Sequence, residues 1–329
     1  MWEIRDPLLF ALGNEPLAKA MAVRLGLPLG GYEERPFGGG EHKTRPLEEV
    51  SGRDVYVLDS LNGESARSAN DKLVRLLFFT GALKDAGAVR VTAVTPYLAY
   101  SRKDRRTKPR DPVSTRYLAQ LFESVGTDRI VTVEVHNVSA FENAFRCCRP
   151  EHVPVAELLA DHFATGLAEA QIAVVSPDAG GAKRAELFRH QLEQRLARPI
   201  ANAIMDKHRS MGVVTGALFA GDVADKVAII VDDLISSGTT IMRTVDACRK
   251  AGAARVIAAV AHPMFTPECA ILGTDGPDAV IVTDTIPLAA ELTEGRSGRI
   301  EVVSIAGLLG DVIGRLNRNE PVCELIPYD

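Results

Sequence analysis

Short runs of β-branched and other apolar residues recur along the chain, and each is followed by a stretch with a helical pattern. Uninterrupted apolar runs of this length are typical of parallel strands, because helices cover both faces of such a sheet. The sequence therefore predicts an α/β protein with mainly parallel sheets. The clearest runs begin at Val55, Val91, Ile130, Ile172, Val227, Val256 and Ala279.

An internal repeat sharpens this prediction. Residues 82–94 resemble residues 247–259 at a constant offset of 165, and each copy is expected to end a helix at Gly87 or Gly252 in the left-handed conformation. Such glycine-capped turns are common, so chance similarity is the alternative. A repeat at half the chain length predicts two copies of one doubly wound domain, which we place at residues 1–152 and 153–329.

The amino-acid composition limits the classes of ligand that the protein is expected to bind. The chain has 329 residues, enough for two domains, with 38 Lys and Arg against 43 Asp and Glu, and only 5% of its residues are aromatic. Proteins that bind nucleic acid are usually basic or carry aromatic stacking platforms. The one strongly basic stretch, residues 102–110, is more typical of a solvated segment in an acidic chain. We therefore expect small-molecule ligands and self-association, not nucleic acid.

The compartment is predicted from what the sequence lacks. Its first residues have no basic segment followed by an apolar one, and no apolar run approaches the length of a membrane span. The five cysteines fit neither a disulfide framework nor paired zinc ligands. We expect a soluble cytoplasmic protein that does not enter a membrane.

The strongest chemical signal lies in residues 227–241, where a buried strand ends in Asp232 and Asp233 and a Ser-Ser-Gly-Thr-Thr turn opens a helix. Helix N-terminal amides beside a glycine form a cradle suited to a phosphate. The carboxylates can accept hydrogen bonds from sugar hydroxyls or lie near Mg²⁺. The alternative is an ordinary N-cap made by Ser236 or Ser237.

This segment resembles the phosphoribosyl-diphosphate loop of the phosphoribosyltransferase fold. Further segments occur in the order found in ribose-phosphate pyrophosphokinases, and the resemblance covers nearly the whole chain. That family is built from two phosphoribosyltransferase-like domains, which agrees with the repeat. The matching segments are Gly13-Asn14, 37–41, 96–106, 132–136, 176–184 and 206–209.

The resemblance implies transfer of the diphosphoryl group of ATP to the anomeric hydroxyl of ribose 5-phosphate. It implies Mg²⁺ as cofactor, with His136 and Asp178 as metal partners, although a structural histidine and a turn aspartate are the alternatives. The residues expected to bind ribose 5-phosphate are Arg209, Asp232, Asp233, Ser236, Ser237, Gly238, Thr239 and Thr240.

Lys207 and Arg209 match the family's catalytic lysine and arginine on a mobile loop. Residues 210–221, with three glycines and no strong periodicity, are expected to form a flap that could close over substrate. The alternative is a solvated basic pair. By the same resemblance a neighbouring subunit contributes part of the ATP site, so we expect a homo-oligomer of dimers assembled into a hexamer. The residues expected to bind ATP are Phe37, Gly39, Gly40, Glu41, Arg102, Lys103 and His136.

Four positions depart from the family pattern. Gly39 and Ser236 each stand where most members have Asp, Lys103 replaces Gln, and Glu134 replaces Asp. Residues 42–45 also differ, so the family's phosphate activation and ADP inhibition are not carried over. These departures predict a divergent but active enzyme.

Two other functions stay open. A phosphoribosyltransferase of nucleobase salvage would need only one such domain. A non-catalytic regulatory subunit associated with the synthetase would not need the retained Lys207, Arg209, His136, Asp178 and Asp232.

Overall fold

The computed structural model describes residues 6–210, 213–266, 268–273, 275–289 and 299–326, with the side chains of 206–210 and 213–218 left out. The chain forms two compact units. One contains the residues up to Pro154 together with the segment that begins at Ile305, and the other contains Val155–Ser304. Both are layered α/β structures with mainly parallel sheets, so the predicted fold class is confirmed.

The first unit is built on a parallel sheet of five strands, β1 (Pro7–Ala11), β4 (Asp54–Leu58), β5 (Arg90–Thr95), β6 (Arg129–Val133) and β7 (Arg149–Val153). They lie side by side in the order β1-β4-β5-β6-β7. A separate antiparallel hairpin is formed by β2 (Tyr32–Pro36) and β3 (His42–Pro46). The helices are α1 (Glu15–Leu25), α2 (Ala69–Asp85), α3 (Ser114–Ser124) and α4 (Val138–Glu142). The core includes Phe10, Phe79 and Phe122, all fully buried.

The second unit is built on a sheet of the strands β8 (Ile172–Ser176), β9 (Ala201–Ser210), β10 (Val213–Gly221), β11 (Val227–Ile235), β12 (Arg255–Pro263), β13 (Ala279–Thr283) and β14 (Ile300–Val303). They lie side by side in the order β10-β9-β8-β11-β12-β13-β14. Its helices are α5 (Ala156–Gly166), α6 (Ala182–Leu196) and α7 (Thr239–Lys250). The last helix, α8 (Ala306–Asn317), belongs to the first unit.

The two units repeat one topology. The order β1-β4-β5-β6-β7 corresponds to β8-β11-β12-β13-β14. In both repeats a helix follows the first strand and a hairpin follows that helix, which is α1 in one repeat and α6 in the other. Gly87 and Gly252 have φ angles of 89° and 84°, which confirms the predicted left-handed C-caps. The amide after each glycine closes the helix end at 3.0 Å, from Ala88 to the carbonyl oxygen of Leu83 and from Ala253 to that of Cys248.

Helix α8 departs from the domain prediction, which assigned residues 153–329 to the second domain. It packs on α1, where Arg24 makes a bidentate contact with Asp311 at 2.8 and 3.0 Å. Helix α5 packs on α6 in the second unit, where the ring centres of Phe163 and Phe188 lie 5.7 Å apart. The helix that follows the last strand of each repeat thus belongs to the other unit, because its apolar face packs against a helix of that unit.

Candidate active site

The carboxyl end of β11 carries the acid pair Asp232 and Asp233. Strand β11 lies between β8 and β12, so it delivers the pair at the ligand-binding edge of the sheet. Asp233 is buried, whereas the Asp232 side chain keeps 20% of its surface exposed. The Asp233 amide donates to Oδ1 of Asp232 at 2.9 Å, and the Leu234 amide donates to Oδ1 of Asp233 at 3.0 Å. The backbone therefore fixes both carboxylates.

Arg184 faces this pair from the first turn of α6. Its guanidinium lies 3.9 Å from Oδ1 of Asp232 and 3.9 Å from Oδ2 of Asp233. Burial, and then the neighbouring Asp233 charge, raise the pKa of Asp232, while Arg184 opposes that rise. The sequence motif 176–184 contained Arg184 but assigned it no role. Its position in the first turn of the helix after β8 was the available signal.

The loop from Ser236 to Thr240 is shaped around Gly238. Gly238 has a φ of 75°, and a Cβ there would lie 2.9 Å from Cγ2 of Ile271. The carbonyl oxygens of Ser236 and Ser237 accept bonds from the Thr266 and Ala270 amides at 3.4 and 2.9 Å. A side chain at position 238 would therefore disturb the loop.

Gly238 also occupies the N-cap position of α7, and no side chain in the described part of the protein caps that helix. The alternative that Ser236 or Ser237 serves as the N-cap is wrong. Ser237 instead shares a hydrogen bond with the Thr239 hydroxyl at 3.1 Å. The first amides of α7 therefore have no side-chain cap among the described residues, and helix N-termini of this kind can bind anions.

Asp178 follows β8, which pairs directly with β11. Its Oδ1 accepts the Gly181 amide at 3.1 Å and so caps the 3₁₀ turn Ala179–Gly181. The turn role that was the alternative for Asp178 is therefore present. The pairing of the two strands also puts Asp178 at the same sheet edge as Asp232.

Lys207 and Arg209 lie on β9, where they pair with Ala217 and Val214 of β10. Their side chains lie outside the described residues. The predicted flap over 210–221 is not a loop, because residues 213–221 form β10; its closure over substrate stays a prediction. The β-branched and aromatic residues of that segment outweigh its glycines, and an irregularity between Val214 and Gly216 accommodates the pairing.

In the first unit, residues 37–41 form the tip of the β2–β3 hairpin and are all exposed. The Phe37 amide donates to the Glu41 carbonyl oxygen at 2.7 Å, and Gly39 and Gly40 have φ angles of 82° and 90°. The Arg35 guanidinium lies 5.6 Å from the centre of the Phe37 ring. The tip thus presents an aromatic ring and a carboxylate to solvent, and its two left-handed positions favour glycine.

The basic segment after β5 is organised by Asp111. Its Oδ2 lies 2.6 Å from Nζ of Lys103 and accepts the amides of Thr107 and Lys108 at 3.0 Å. The Lys103 contact, followed by those of Thr107, lowers the pKa of Asp111. The charge of Lys103 is therefore already balanced, whereas Arg102 is exposed.

His136 is exposed after β6, next to Asn137. Asn137 caps α4 through the Ala140 amide at 3.1 Å and donates to Oδ2 of Asp104 at 2.6 Å. This bond ties the segment of Arg102 to the end of β6 that carries His136. Asp104 and Asn137 were missed by the sequence analysis, because their contact joins two separate loops.

Comparison with known proteins shows the family to which this chain belongs. Residues 8–126 match the model of the N-terminal domain of ribose phosphate pyrophosphokinase, and residues 198–326 match that of the phosphoribosyl synthetase-associated domain. Ribose-phosphate pyrophosphokinase 1 of Streptococcus agalactiae serotype III is 36% identical over 323 residues, which cover 96% of each chain. This chain belongs to the ribose-phosphate pyrophosphokinase family.

Two further proteins are similar to this chain over nearly its full length. Ribose-phosphate pyrophosphokinase 1 of Streptococcus pyogenes serotype M1 is 35% identical over 97% of each chain. The crystal structure of phosphoribosylpyrophosphate synthetase from Mycobacterium smegmatis superposes with a TM-score of 0.85 at 32% identity, covering 96% of this chain and 100% of that one. The resemblance seen in the sequence is therefore confirmed at the level of the pyrophosphokinase family.

Proposed function

We propose that this chain transfers the diphosphoryl group of ATP to the anomeric hydroxyl of ribose 5-phosphate, giving phosphoribosyl diphosphate and AMP. The observation that carries the proposal is the end of β11, where two carboxylates precede a helix that has Gly238 as its N-cap. A sugar phosphate requires both parts, hydroxyl acceptors and an anion cradle. Relatives that align over the full length and bear the pyrophosphokinase name support the same reaction.

Ribose 5-phosphate is assigned to the second unit. The first amides of α7, with the hydroxyls of Ser236, Ser237, Thr239 and Thr240, receive the 5-phosphate. Asp232 and Asp233 accept bonds from the ribose hydroxyls, and Arg184, 3.9 Å from each acid, opposes the rise in the pKa of Asp232. Because Ser236 offers one hydroxyl where a carboxylate would offer two oxygens, the hold on the sugar depends more on Asp232.

ATP is assigned to residues of the first unit. Phe37 stacks on the adenine, and Gly39, Gly40 and Glu41 close over it from a neighbouring copy of the chain. Arg102, Lys103 and His136 face the phosphates, with Arg102 as the principal charge because Lys103 is paired with Asp111.

The transfer forms a bond from the anomeric oxygen to the β-phosphorus and breaks the bond from that phosphorus to the oxygen retained by AMP. The hydroxyl proton is released. Lys207 and Arg209 neutralise the charge that spreads over the oxygens of the transferred group. They are the catalytic residues of the proposal, and Arg209 also contacts ribose 5-phosphate.

Mg²⁺ fits part of this residue set. The carboxylate of Asp178 is the oxygen ligand that Mg²⁺ prefers, whereas the imidazole of His136 is a less suitable one. Within the described ranges, no three His, Cys, Asp or Glu side chains come together as a metal site. That is compatible with the habit of Mg²⁺ to combine one or two protein ligands with substrate phosphates. When bound, the ion would offset phosphate charge.

A homo-oligomer of dimers assembled into a hexamer and a cytoplasmic location remain part of the proposal. A neighbour that closes over the adenine requires at least a dimer. No helix in the described ranges has the length and apolar character needed to cross a bilayer.

The decisive experiment measures AMP formed from ATP and Mg²⁺ with and without ribose 5-phosphate. AMP that depends on ribose 5-phosphate supports the proposal. Its absence at every phosphate concentration would reject it and leave the regulatory subunit. Turnover of a nucleobase with phosphoribosyl diphosphate, but not of ATP, would indicate the salvage transferase.

A further inference from the structure

The β2–β3 hairpin that carries the Phe37–Glu41 tip forms a sheet of its own. Among the described strands, β2 and β3 pair only with each other. A two-stranded hairpin alone is marginally stable in water. The orientation of the tip must therefore be set by side chains that connect the hairpin to the rest of the first unit.

Apolar contacts supply one connection. The centre of the Tyr32 ring lies 5.8 Å from that of the Phe79 ring of α2, and the centre of the His42 ring lies 6.2 Å from that of Phe78. Apolar contacts are non-directional, so they hold the hairpin near α2 without specifying its angle.

Glu34 supplies a directional connection. Its Oε2 lies 3.3 Å from Nη1 of Arg75, and its Oε1 lies 2.8 Å from Nη2 of Arg67 just before α2. Both carboxylate oxygens thus point out of the hairpin toward the body of the unit. Glu34 stands three residues before Phe37, so a shift at Glu34 is transmitted directly to the tip.

Arg75 is itself immobilised. Its side chain is only 4% exposed, and Nη2 donates at 2.7 Å both to Oδ2 of Asp59 and to the carbonyl oxygen of Leu12. Asp59 is fully buried after β4. It occupies the place that Asp232 has in the second repeat. The acid that is partly open there is covered here by Arg75, and it anchors the hairpin through that residue.

We propose that Glu34 is a positioning residue for ATP, holding the hairpin through Arg75 and Arg67 in the orientation that binds nucleotide. The inference rests on the proposed role of the Phe37–Glu41 tip in ATP binding. If the hairpin loses its anchor, the apparent affinity for nucleotide falls in proportion to the fraction of hairpins in the competent orientation.

The test compares Glu34→Gln with Glu33→Gln. Glu33 is the matched control, because its carboxylate pairs with Arg45 at 2.6 Å and with Lys43 at 3.2 Å inside the hairpin. Glu34→Gln leaves Arg75 its bonds to Asp59 and Leu12, so no buried cation loses all its partners.

We expect Glu34→Gln to raise the Kd for a non-hydrolysable ATP analogue, measured with Mg²⁺ by calorimetry, by at least about fivefold. The KM for ribose 5-phosphate should stay within about twofold, since only hairpin orientation changes. Glu33→Gln should leave the nucleotide Kd within about twofold. Equal nucleotide affinity in Glu34→Gln and the wild type, or an equal loss in both variants, overturns the inference.

Hydrogen exchange gives a second readout. Amides of β2 and β3 should exchange faster in Glu34→Gln than in Glu33→Gln, while those of β4 and β5 should not change. Unchanged exchange in the hairpin would contradict the anchoring role. Phe37→Ala separates the two proposals. If it leaves nucleotide affinity intact, the role of the tip is wrong and the inference falls with it; if it weakens binding and Glu34→Gln does not, only the inference fails.

Discussion

The guanidinium of Arg184 lies 3.9 Å from Oδ1 of Asp232. It is the cation that opposes the rise in the Asp232 pKa caused by burial and by Asp233. We expect Arg184→Gln to weaken ribose 5-phosphate binding about fivefold, because a protonated acid accepts fewer hydroxyl bonds. Arg189→Gln on the same helix is the control, because Arg189 pairs with Glu186 and Glu193 and donates to the Ile200 carbonyl oxygen, away from the acid pair. Equal affinities for ribose 5-phosphate in the two variants would argue against this role.

Gly238→Ala should distort the loop before α7, because the new Cβ would approach Ile271 and sit at a φ of 75°. We expect the KM for ribose 5-phosphate to rise at least about tenfold and unfolding to become easier by about 1–2 kcal/mol. Gly252→Ala is the control. Gly252 has a φ of 84°, but a Cβ there would lie 3.7 Å from its nearest neighbouring atom, which is an ordinary contact. This variant should show a similar stability loss with unchanged KM, and a rise in its KM would show that the effect is not local to the loop.

Lys207→Ala should lower kcat at least about a hundredfold with a modest change in the KM for ribose 5-phosphate, as expected when a contact to the transition state is lost. Lys226→Ala is a control, since Lys226 pairs with Asp222 at 2.7 Å. Steady-state kinetics of AMP formation measures both. A Lys207→Ala rate equal to that of the wild type would remove the residue from the catalytic set.

The buried Asp59 predicts a specific pH dependence of stability. Burial raises its pKa to about 6, against the opposing charge of Arg75. Because the folded protein retains this proton at a pH where the unfolded chain has lost it, the contribution of Asp59 to the free energy of unfolding should fall as pH rises from about 4 to about 6.

Urea unfolding of the wild type and Asp59→Asn between pH 4 and 7 measures this contribution. The stability of the wild type relative to the variant should decrease with pH across that window and become constant above it. A relative stability that increases with pH would mean that the Arg75 contact outweighs burial.

Asn317 on α8 tests the docking of the last helix. Its amide donates to Oδ2 of the buried Asp54 at 2.8 Å, beside Tyr56 and Arg90. We expect Asn317→Ala to lower the free energy of unfolding by about 1–3 kcal/mol, because Asp54 loses a buried donor. Asp311→Asn, which weakens the exposed pair with Arg24, should cost at most about 1 kcal/mol. Equal losses in urea unfolding would contradict this ranking.

The fold could be predicted because its signals are local. Every apolar run identified in the sequence lies in a strand of the parallel sheets, and Gly87 and Gly252 end helices as expected. Residues 213–221 differ from the prediction, since their glycines and weak periodicity favour a loop whereas pairing with β9 makes a strand. That pairing is a contact between two segments of the chain, and the residue pattern within one segment does not predict it.

The sequence by itself determined the α/β alternation, the repeat and the acid pair that precedes the Gly238 helix start, because side-chain periodicity and turn chemistry act over a few residues. Only the tertiary structure decided that α8 covers the first unit, that Arg184 faces Asp232 and that Arg75 joins Asp59 to Glu34. Each of these contacts joins separate elements of the fold. An apolar helix face or a charged side chain specifies that a partner is needed, and the packed fold selects which one.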